Sequence, residues 1–350
     1  MKSNYKQLGQ FIRQVDVRNA AGKEENLLGV SVQKTFIPSI ANTVGTDFTK
    51  YKVVRRGQFT YIPDTSRRGD KIGIALLSDC DEGLVSNVYT TFEVIDKNEL
   101  LPEYLMLWFS RPEFDRYARF KSHGSVREVM DWDEMCKVQL PVPPISVQRD
   151  IVKAYQTITN RIALKQQVND NLEAVLAASH SKMFFSMDTS EHSKLGELMT
   201  FGNGKSRPKT DGPIPVYGGN GVLSYTDHHN IENAVLIGRV GAYCGSVYLE
   251  QGICWVSDNA IFAKSKITKD EFFDYFLLKR LNLFNHHVGT GQQLLTQEIL
   301  NNIEVPKPVT EQIELFNRKA ASVFETLFTN SREIIRLQEL SDLLLSRLAG

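Results

Sequence analysis

The sequence lacks an excess of charge of either sign. Lys and Arg together number 41, and so do Asp and Glu, leaving a formal net charge of zero over 350 residues. That excludes a chain basic all over. It leaves room for a local basic groove, because the charge that meets a partner is local. No run approaches the ~20 apolar residues of a membrane span. The opening stretch, MKSNYKQLGQFIRQ, carries no apolar segment of signal-peptide length. A cytoplasmic chain with no membrane partner is expected. Cysteine is scarce: Cys80, Cys136, Cys244 and Cys254 form no CxxC pair and no regular spacing. This argues for buried thiols in a reducing compartment, against a disulfide framework or a metal site. His228 with His229, and His286 with His287, have no Cys or carboxylate at zinc-like spacing, so no metal ligand is assigned.

Catalytic signatures are missing too. GNGKS at residues 202–206 resembles the end of a phosphate-binding loop, but Met199 stands where the first glycine belongs and Arg207 and Pro208 follow where a helix should begin. It reads as a basic loop. LIGRVGAYCG has glycines without the GxGxxG spacing. No Asn-Pro-Pro-aromatic pattern of an adenine methyltransferase occurs; Pro143 and Pro144 lie between Val142 and Ile145. IPD at residues 62–64 has no acidic-x-Lys triplet at a suitable distance after it and reads as a turn. No catalytic residue is expected.

What is present is a repeat. LPVPPISVQRDI begins at Leu140 and VPKPVTEQIEL at Val305; Pro141 and Pro143 lie 165 residues before Pro306 and Pro308, and Gln148 lies 164 before Gln312. Each proline stretch opens a long proline-free segment, residues 146–185 and 310–349, which reads as helix. In the first, steps of four and three visit Ile151, Tyr155, Ile158, Ile162, Lys165, Asn169, Leu172, Leu176, Ser179 and Met183. Adding 165 visits Phe316, Ala320, Val323, Leu327, Asn330, Ile334, Leu337, Ser341, Leu344 and Leu348. This is the heptad spacing of a coiled-coil seam, with a polar residue, Lys165 or Asn330, at the fifth place of each. Helices of ~38 residues reach about 57 Å at 1.5 Å per residue, long for one domain face.

The repeat continues upstream. Asp131 and Thr296 open matched segments, GSVR at 124–127 answers GTGQ at 289–292, LGQFI at 8–12 answers LGELM at 195–199, and Val85-Ser86-Asn87 answers Val256-Ser257-Asp258-Asn259. Short β-branched and aromatic runs at residues 51–54, 59–62, 72–77, 235–237 and 246–249 read as strands, and residues 102–119 and 269–286 as helix. The expected class is α+β: two similar domains of mixed short strands and helices at residues 1–145 and 188–309, with long helices at 146–187 and 310–350 forming a coiled coil. Hydrophobic residues at 42% and charged residues at 23% suffice for more than one core.

This plan resembles the specificity subunit of type I restriction–modification systems. The resemblance covers essentially the whole chain and is strongest in the two proline–Gln–helix segments and in LIGRVGAYCGSVY…WVSDNAIF at residues 236–262. It departs where Val147 stands opposite Glu311, and the sequence ends at Gly350, so no longer extension is expected after the second helix. The resemblance implies two target-recognition domains, each reading half of a split target in double-stranded DNA, and pairing of the two long helices as an antiparallel coiled-coil spacer. It also implies two methyltransferase subunits and translocating restriction subunits as partners, with S-adenosylmethionine, ATP and Mg on those partners and no cofactor in this chain. A coiled-coil scaffold without DNA specificity is the alternative.

Residues suited to bases and phosphates are Arg, Lys, Asn, Gln, Ser, Thr and Tyr on loops. In the first half these are Arg55, Arg56, Arg67, Arg68, Lys71, Lys121, Ser125 and Arg127; in the second, Lys205, Arg207, Lys209, Asn220, Arg239, Tyr243, Thr290, Gln292 and Gln293. Gln292 and Gln293 suit adenine, and Arg67 or Arg127 suit guanine. For any one of them a solvated side chain is the more ordinary reading. Outside the seams, Leu164, Val168, Phe324 and Phe328 offer apolar strips, and the resemblance implies methyltransferase docking on them.

Overall fold

An apolar stripe spaced by threes and fours commits a helix to a partner along its length, and both stripes lie on unbroken helices, Ile145–Phe184 and Thr310–Arg347. The computed structural model describes residues 5–40, 43–65, 71–122, 128–184, 191–289 and 291–348. The chain divides into two units: Met1–Leu164 with Ile334–Gly350, and Lys165–Glu333. Each unit therefore takes half of each long helix. Every seam position named above is at least partly shielded, whereas Lys153, Gln156, Arg161, Lys319, Glu325 and Arg332 between them face solvent.

In the second unit the two helix halves run antiparallel. The Lys165 ammonium donates to Asn330 Oδ1 at 2.8 Å and meets Glu333 Oε2 at 2.7 Å, and Asn330 Nδ2 donates to Asn169 Oδ1 at 2.8 Å. Further along, His180 of the first helix lies edge-on to Phe316 of the second at 5.2 Å. The two polar interruptions expected in the seams thus satisfy each other, which removes most of the cost of placing them there. In the first unit Leu345 and Leu348 of the second helix enter a core that also packs Ile151, Val152 and Tyr155 of the first.

Each unit is built on the same base. A three-residue ladder joins Tyr5–Gln7 to Gln139–Pro141 in one and His192–Lys194 to Glu304–Pro306 in the other, both antiparallel. The LG pairs follow at once. Leu8 N–H donates to Val138 O and Leu195 N–H to Ile303 O. Gly9 lies so close to its neighbour that a Cβ would stand 2.8 Å from that of Cys136. Asp131 and Thr296 cap short helices, their side chains accepting from Glu134 N–H and Ile299 N–H.

Above the base the first unit carries a four-stranded antiparallel sheet in the order Ile12–Val15, Thr90–Val94, Gln58–Tyr61, Ile74–Leu76. Phe59 and Phe92 stack at 4.8 Å and Phe109 meets both edge-on. The second unit has six strands in the order Met199–Asn203, Ala260–Ser265, Ile231–Gly238, Val247–Val256, Ile214–Gly218, Gly221–Thr226. The strand Ile214–Gly218 lies parallel to its neighbour; every other pairing is antiparallel. The expected helix at residues 102–119 is two helices, Pro102–Phe109 and Pro112–Lys121. Pro112 forces Arg111 into an extended conformation. The segment 269–286 breaks likewise at Asn282, whose φ is 45°. Of the four cysteines, Cys244 and Cys254 are buried, while Cys80 and Cys136 are only half-buried; all four are free thiols. Among the described residues no helix is long and apolar enough to cross a membrane.

The repeated glutamine acquires a structural role in one copy. Gln148 is fully buried; its Oε1 accepts from Leu101 N–H and its Nε2 donates to Glu99 O, fixing the entry to the helix Pro102–Phe109. In the second unit Asn317 does this for the helix Phe272–Arg280, accepting from Phe273 N–H and donating to Asp270 O. Nearby, Asp274 is buried, and Oδ2 has no partner among the described residues. Burial first, then the charge of Glu271, raises its carboxyl to about 7 despite a hydrogen bond from Ser265. The folded chain therefore keeps a proton that the unfolded chain loses above its ordinary value of 3.8, so stability falls as pH rises through that window to about 7. Replacing Asp274 by Asn should flatten that fall, measured as urea-unfolding free energy across the window; an unchanged slope would place the titration elsewhere.

Candidate nucleic-acid interface

At one edge of each sheet the two units repeat a set of backbone hydrogen bonds. In the first unit Ile62 N–H donates to Gly73 O (2.8 Å), Met130 to Pro63 O (3.0 Å), Thr65 to Glu128 O (2.9 Å) and Tyr89 to Ser86 O (3.1 Å). In the second, Gly238 donates to Ser246 O (2.8 Å), Leu295 to Arg239 O (2.9 Å), Gly241 to Gln293 O (3.0 Å) and Ala260 to Ser257 O (3.0 Å). The loop 62–73 thus corresponds to 238–246, the strip 128–130 to 293–295, and the turn 86–89 to 257–260. Each edge holds its described segments in fixed register by backbone contacts that leave most side chains free to vary; Gly238 is an exception, since a Cβ there would strike Tyr243 O.

The side chains on this frame differ. In the second unit Arg239 is half-shielded; its backbone N–H donates to Asn259 O at 3.0 Å, and its Nε has no acceptor among the described residues. Tyr243 is 50% exposed. It sits on a tight turn that needs Gly245 at φ 84°, where a Cβ would also strike the Phe284 backbone. Asn220 is exposed on the turn joining Ile214–Gly218 to Gly221–Thr226, and Ser246 Oγ donates to Gly219 O beside it. Gln293 is half-buried and Gln292 exposed. Lys205 adjoins the same edge. Its N–H donates to Val256 O and its carbonyl accepts from the Trp255 indole, leaving the ammonium exposed with Arg207 and Lys209 beyond it. The structure therefore brings Lys205, Asn220, Arg239, Tyr243 and Gln293 to one edge, an array of donors suited to phosphates and base edges.

In the first unit Arg67, Arg68, Ser125 and Arg127, like Thr290 in the second, lie outside the described residues. Lys71 is exposed where the loop 62–73 returns. Its neighbour Ile72 is held by a buried ion pair: Lys34 meets Asp115 at 2.5 Å, and Asp115 also accepts from Ile72 N–H at 3.1 Å. Burial lowers the Lys34 ammonium, and Asp115 opposes that. Arg55 and Arg56 stand elsewhere, beyond the opposite end of the strand Gln58–Tyr61, roughly 10 Å away at 3.3 Å per residue. Arg56 is occupied there, its Nε 3.2 Å from Asp81 Oδ1 and its Nη1 donating to Ser78 O. Lys121 ends the helix Pro112–Lys121 and lines a crevice on the flank of the unit. The turn residues Asn87, Asp258 and Asn259, exposed at the duplicated edge, were not singled out from sequence; the repeated Val-Ser-Asn pattern was the signal that could have found them.

The expected docking strip needs correction at two places. Phe324 is only 7% exposed and stacks on Phe272 at 4.6 Å. Phe328 packs against the same core, 6.0 Å from Phe324. Phe324 is covered by the helix Phe272–Arg280, against Phe272, Tyr275 and Phe276, and Phe328 lies half-buried beside it. Leu164 and Val168 remain 62% and 46% exposed.

A family model described as the type I restriction modification DNA specificity domain matches residues 23–174 and again residues 187–343. The chain belongs to this family. One similar solved structure is described as the S subunit of a type-I restriction-modification system from M. genitalium. It shares 14% identity, with 99% of this chain and 96% of that one covered, at a TM-score of 0.66; at that identity the likeness speaks for the fold. A chain from a structure on assembly and conformational transition of the type I R-M system (17%, 98% and 96%, TM-score 0.47) and the HsdS subunit from Thermoanaerobacter tengcongensis (16%, 99% and 96%, TM-score 0.37) match at lower TM-scores. No curated protein matches the chain.

For a specificity chain the two arginine sites should behave differently. Arg239→Ala is expected to weaken target binding by the assembled complex by about 1–3 kcal/mol. Arg56→Ala, which removes a turn contact, should change it by less than about 0.5 kcal/mol. A titration with target duplex at fixed salt measures both, and equal losses would count against the assigned edge.

Proposed function

We propose that the edge formed by residues 62–65, 71–73, 86–89 and 128–130 reads one half of a split DNA target, and the edge formed by 238–246, 257–260 and 293–295 reads the other. The chain is a DNA specificity subunit of a type I restriction–modification system, and the observation that carries its bipartite reading is the duplication itself. The specificity family matches once over most of each half. The two edges share one hydrogen-bonded backbone and carry different side chains, as two readers of different sequences require. A scaffold would gain nothing from such a pair.

The family is non-catalytic, and the chemistry is assigned here to partner subunits. Methyltransferase subunits would bring S-adenosylmethionine, and restriction subunits ATP and Mg. Exposed Leu164 and Val168 on the first long helix are the positions proposed for methyltransferase docking. A cytoplasmic setting fits this work. Among the candidates, Arg239, Tyr243, Asn220, Lys205 and Gln293 are proposed to face the second half-target, and Arg67, Arg68, Lys71, Ser125 and Arg127 the first.

The test is an exchange. Replacing residues 1–145 by those of a relative with another target should change one half of the methylated sequence and leave the other half and the gap unchanged, read by methylome sequencing. A change in both halves would overturn independent reading.

A further inference from the structure

Where the base ladder of the first unit meets the helix Pro112–Lys121, the surface opens into a crevice of about 490 Å³. Its walls are aromatic, from Tyr5, Trp108, Phe114 and Tyr117, and its charged lining is three cations, Arg111, Lys121 and Lys137, against one acid, Glu113. Arg111 decides its character. The side chain is 6% exposed, its guanidinium lies 4.2 Å over the Trp108 ring, and its Nε has no acceptor among the described residues. Its one ion pair among the described residues is a long one, 3.4 Å to half-exposed Glu113. Lys121 at the rim makes no ion pair among the described residues, whereas Lys137 is held by Glu134 at 2.7 Å. A buried guanidinium short of an acceptor is costly, and aromatic walls around it suit a peptide side chain more than a bare phosphate.

The corresponding place in the second unit is also a crevice, of about 520 Å³, but its lining is reversed in charge. Lys137, Val138 and Gln139 are replaced, 165 residues on, by Asn302, Ile303 and Glu304, with Glu298 and His286 beside them. The duplication has kept the hollow and inverted its preference.

We propose that the crevice around Arg111 is a docking pocket for an acidic, apolar-flanked peptide segment of a partner subunit, its carboxylate pairing with the Arg111 guanidinium and the Lys121 ammonium that line the crevice. The pocket lies at the far end of the helix Trp132–Lys137 from the loop edge that begins at Met130. It is separate from the proposed DNA-reading surface by that helix, about 9 Å at 1.5 Å per residue. The proposal rests on the chain being one subunit of a complex, but its test involves the full-length chain alone and no target DNA.

The probe is a fluorescein-labelled, capped peptide of alternating glutamate and leucine, followed by fluorescence polarisation. The expected result is binding that is weakened roughly ten-fold or more by Arg111→Gln, and likewise by Lys121→Glu, the loss of one charge-assisted contact. A lysine–leucine peptide should not bind. Because Arg111 is buried, thermal melts accompany that variant, and Lys121→Glu on the rim gives the decision if Arg111→Gln unfolds. Equal affinity for the wild type and Lys121→Glu, or displacement of the peptide by short non-target duplex, would overturn the proposal.

Discussion

A polar side chain in the middle of an apolar seam must find a polar partner, and in the second unit Lys165 finds Asn330. With the helix halves antiparallel, Lys165, Asn169, Asn330 and Glu333 close into one set of hydrogen bonds. Sliding one helix by a turn would set Lys165 against an apolar neighbour, stranding a charge where none is satisfied. Hydrophobic spacing alone permits many registers; this contact selects one. Within the second unit, what packs on the two helix halves inherits that choice.

The duplication separates what must stay from what must vary. Backbone hydrogen bonds at the two loop edges match pair for pair, and the helix caps at Asp131 and Thr296 match as well. The backbone contacts depend on main-chain geometry, so most substitutions leave them intact, whereas the two caps need a short side chain with an acceptor oxygen. Side chains projecting from the same frame, Arg239 and Tyr243 in one unit and Lys71 in the other, are free to differ. A specificity subunit needs a frame rigid enough to hold a reading surface and tolerant enough to change what it reads. The flank crevices show the same logic, with one hollow lined by Arg111 and its counterpart by Glu304.

Buried amides show how a repeat can drift without losing its function. Gln148 and Asn317 both anchor the helix at the side of their sheets, yet they do not occupy matched places in the repeat. Asn317 sits about one further turn along its helix. A shorter side chain from a shifted position reaches the same kind of backbone target.

Periodicity along the chain determined the long helices, their seams, the polar interruption and the two-fold plan, because these depend on residues close in sequence or on a fixed offset. Membership of the family was also legible, from the proline–Gln–helix segments that mark each domain's end. Tertiary structure alone decided which faces are free. Phe324 looks like part of an exposed strip on a helical wheel, but the helix Phe272–Arg280 covers it, and no local pattern records what packs on a helix from fifty residues away. It also decided which cations share an edge. Arg56 and Lys71 both lie in basic turns of one half, yet a strand between them puts them at opposite ends of the sheet, because a turn's composition says nothing of which end of its strand it closes.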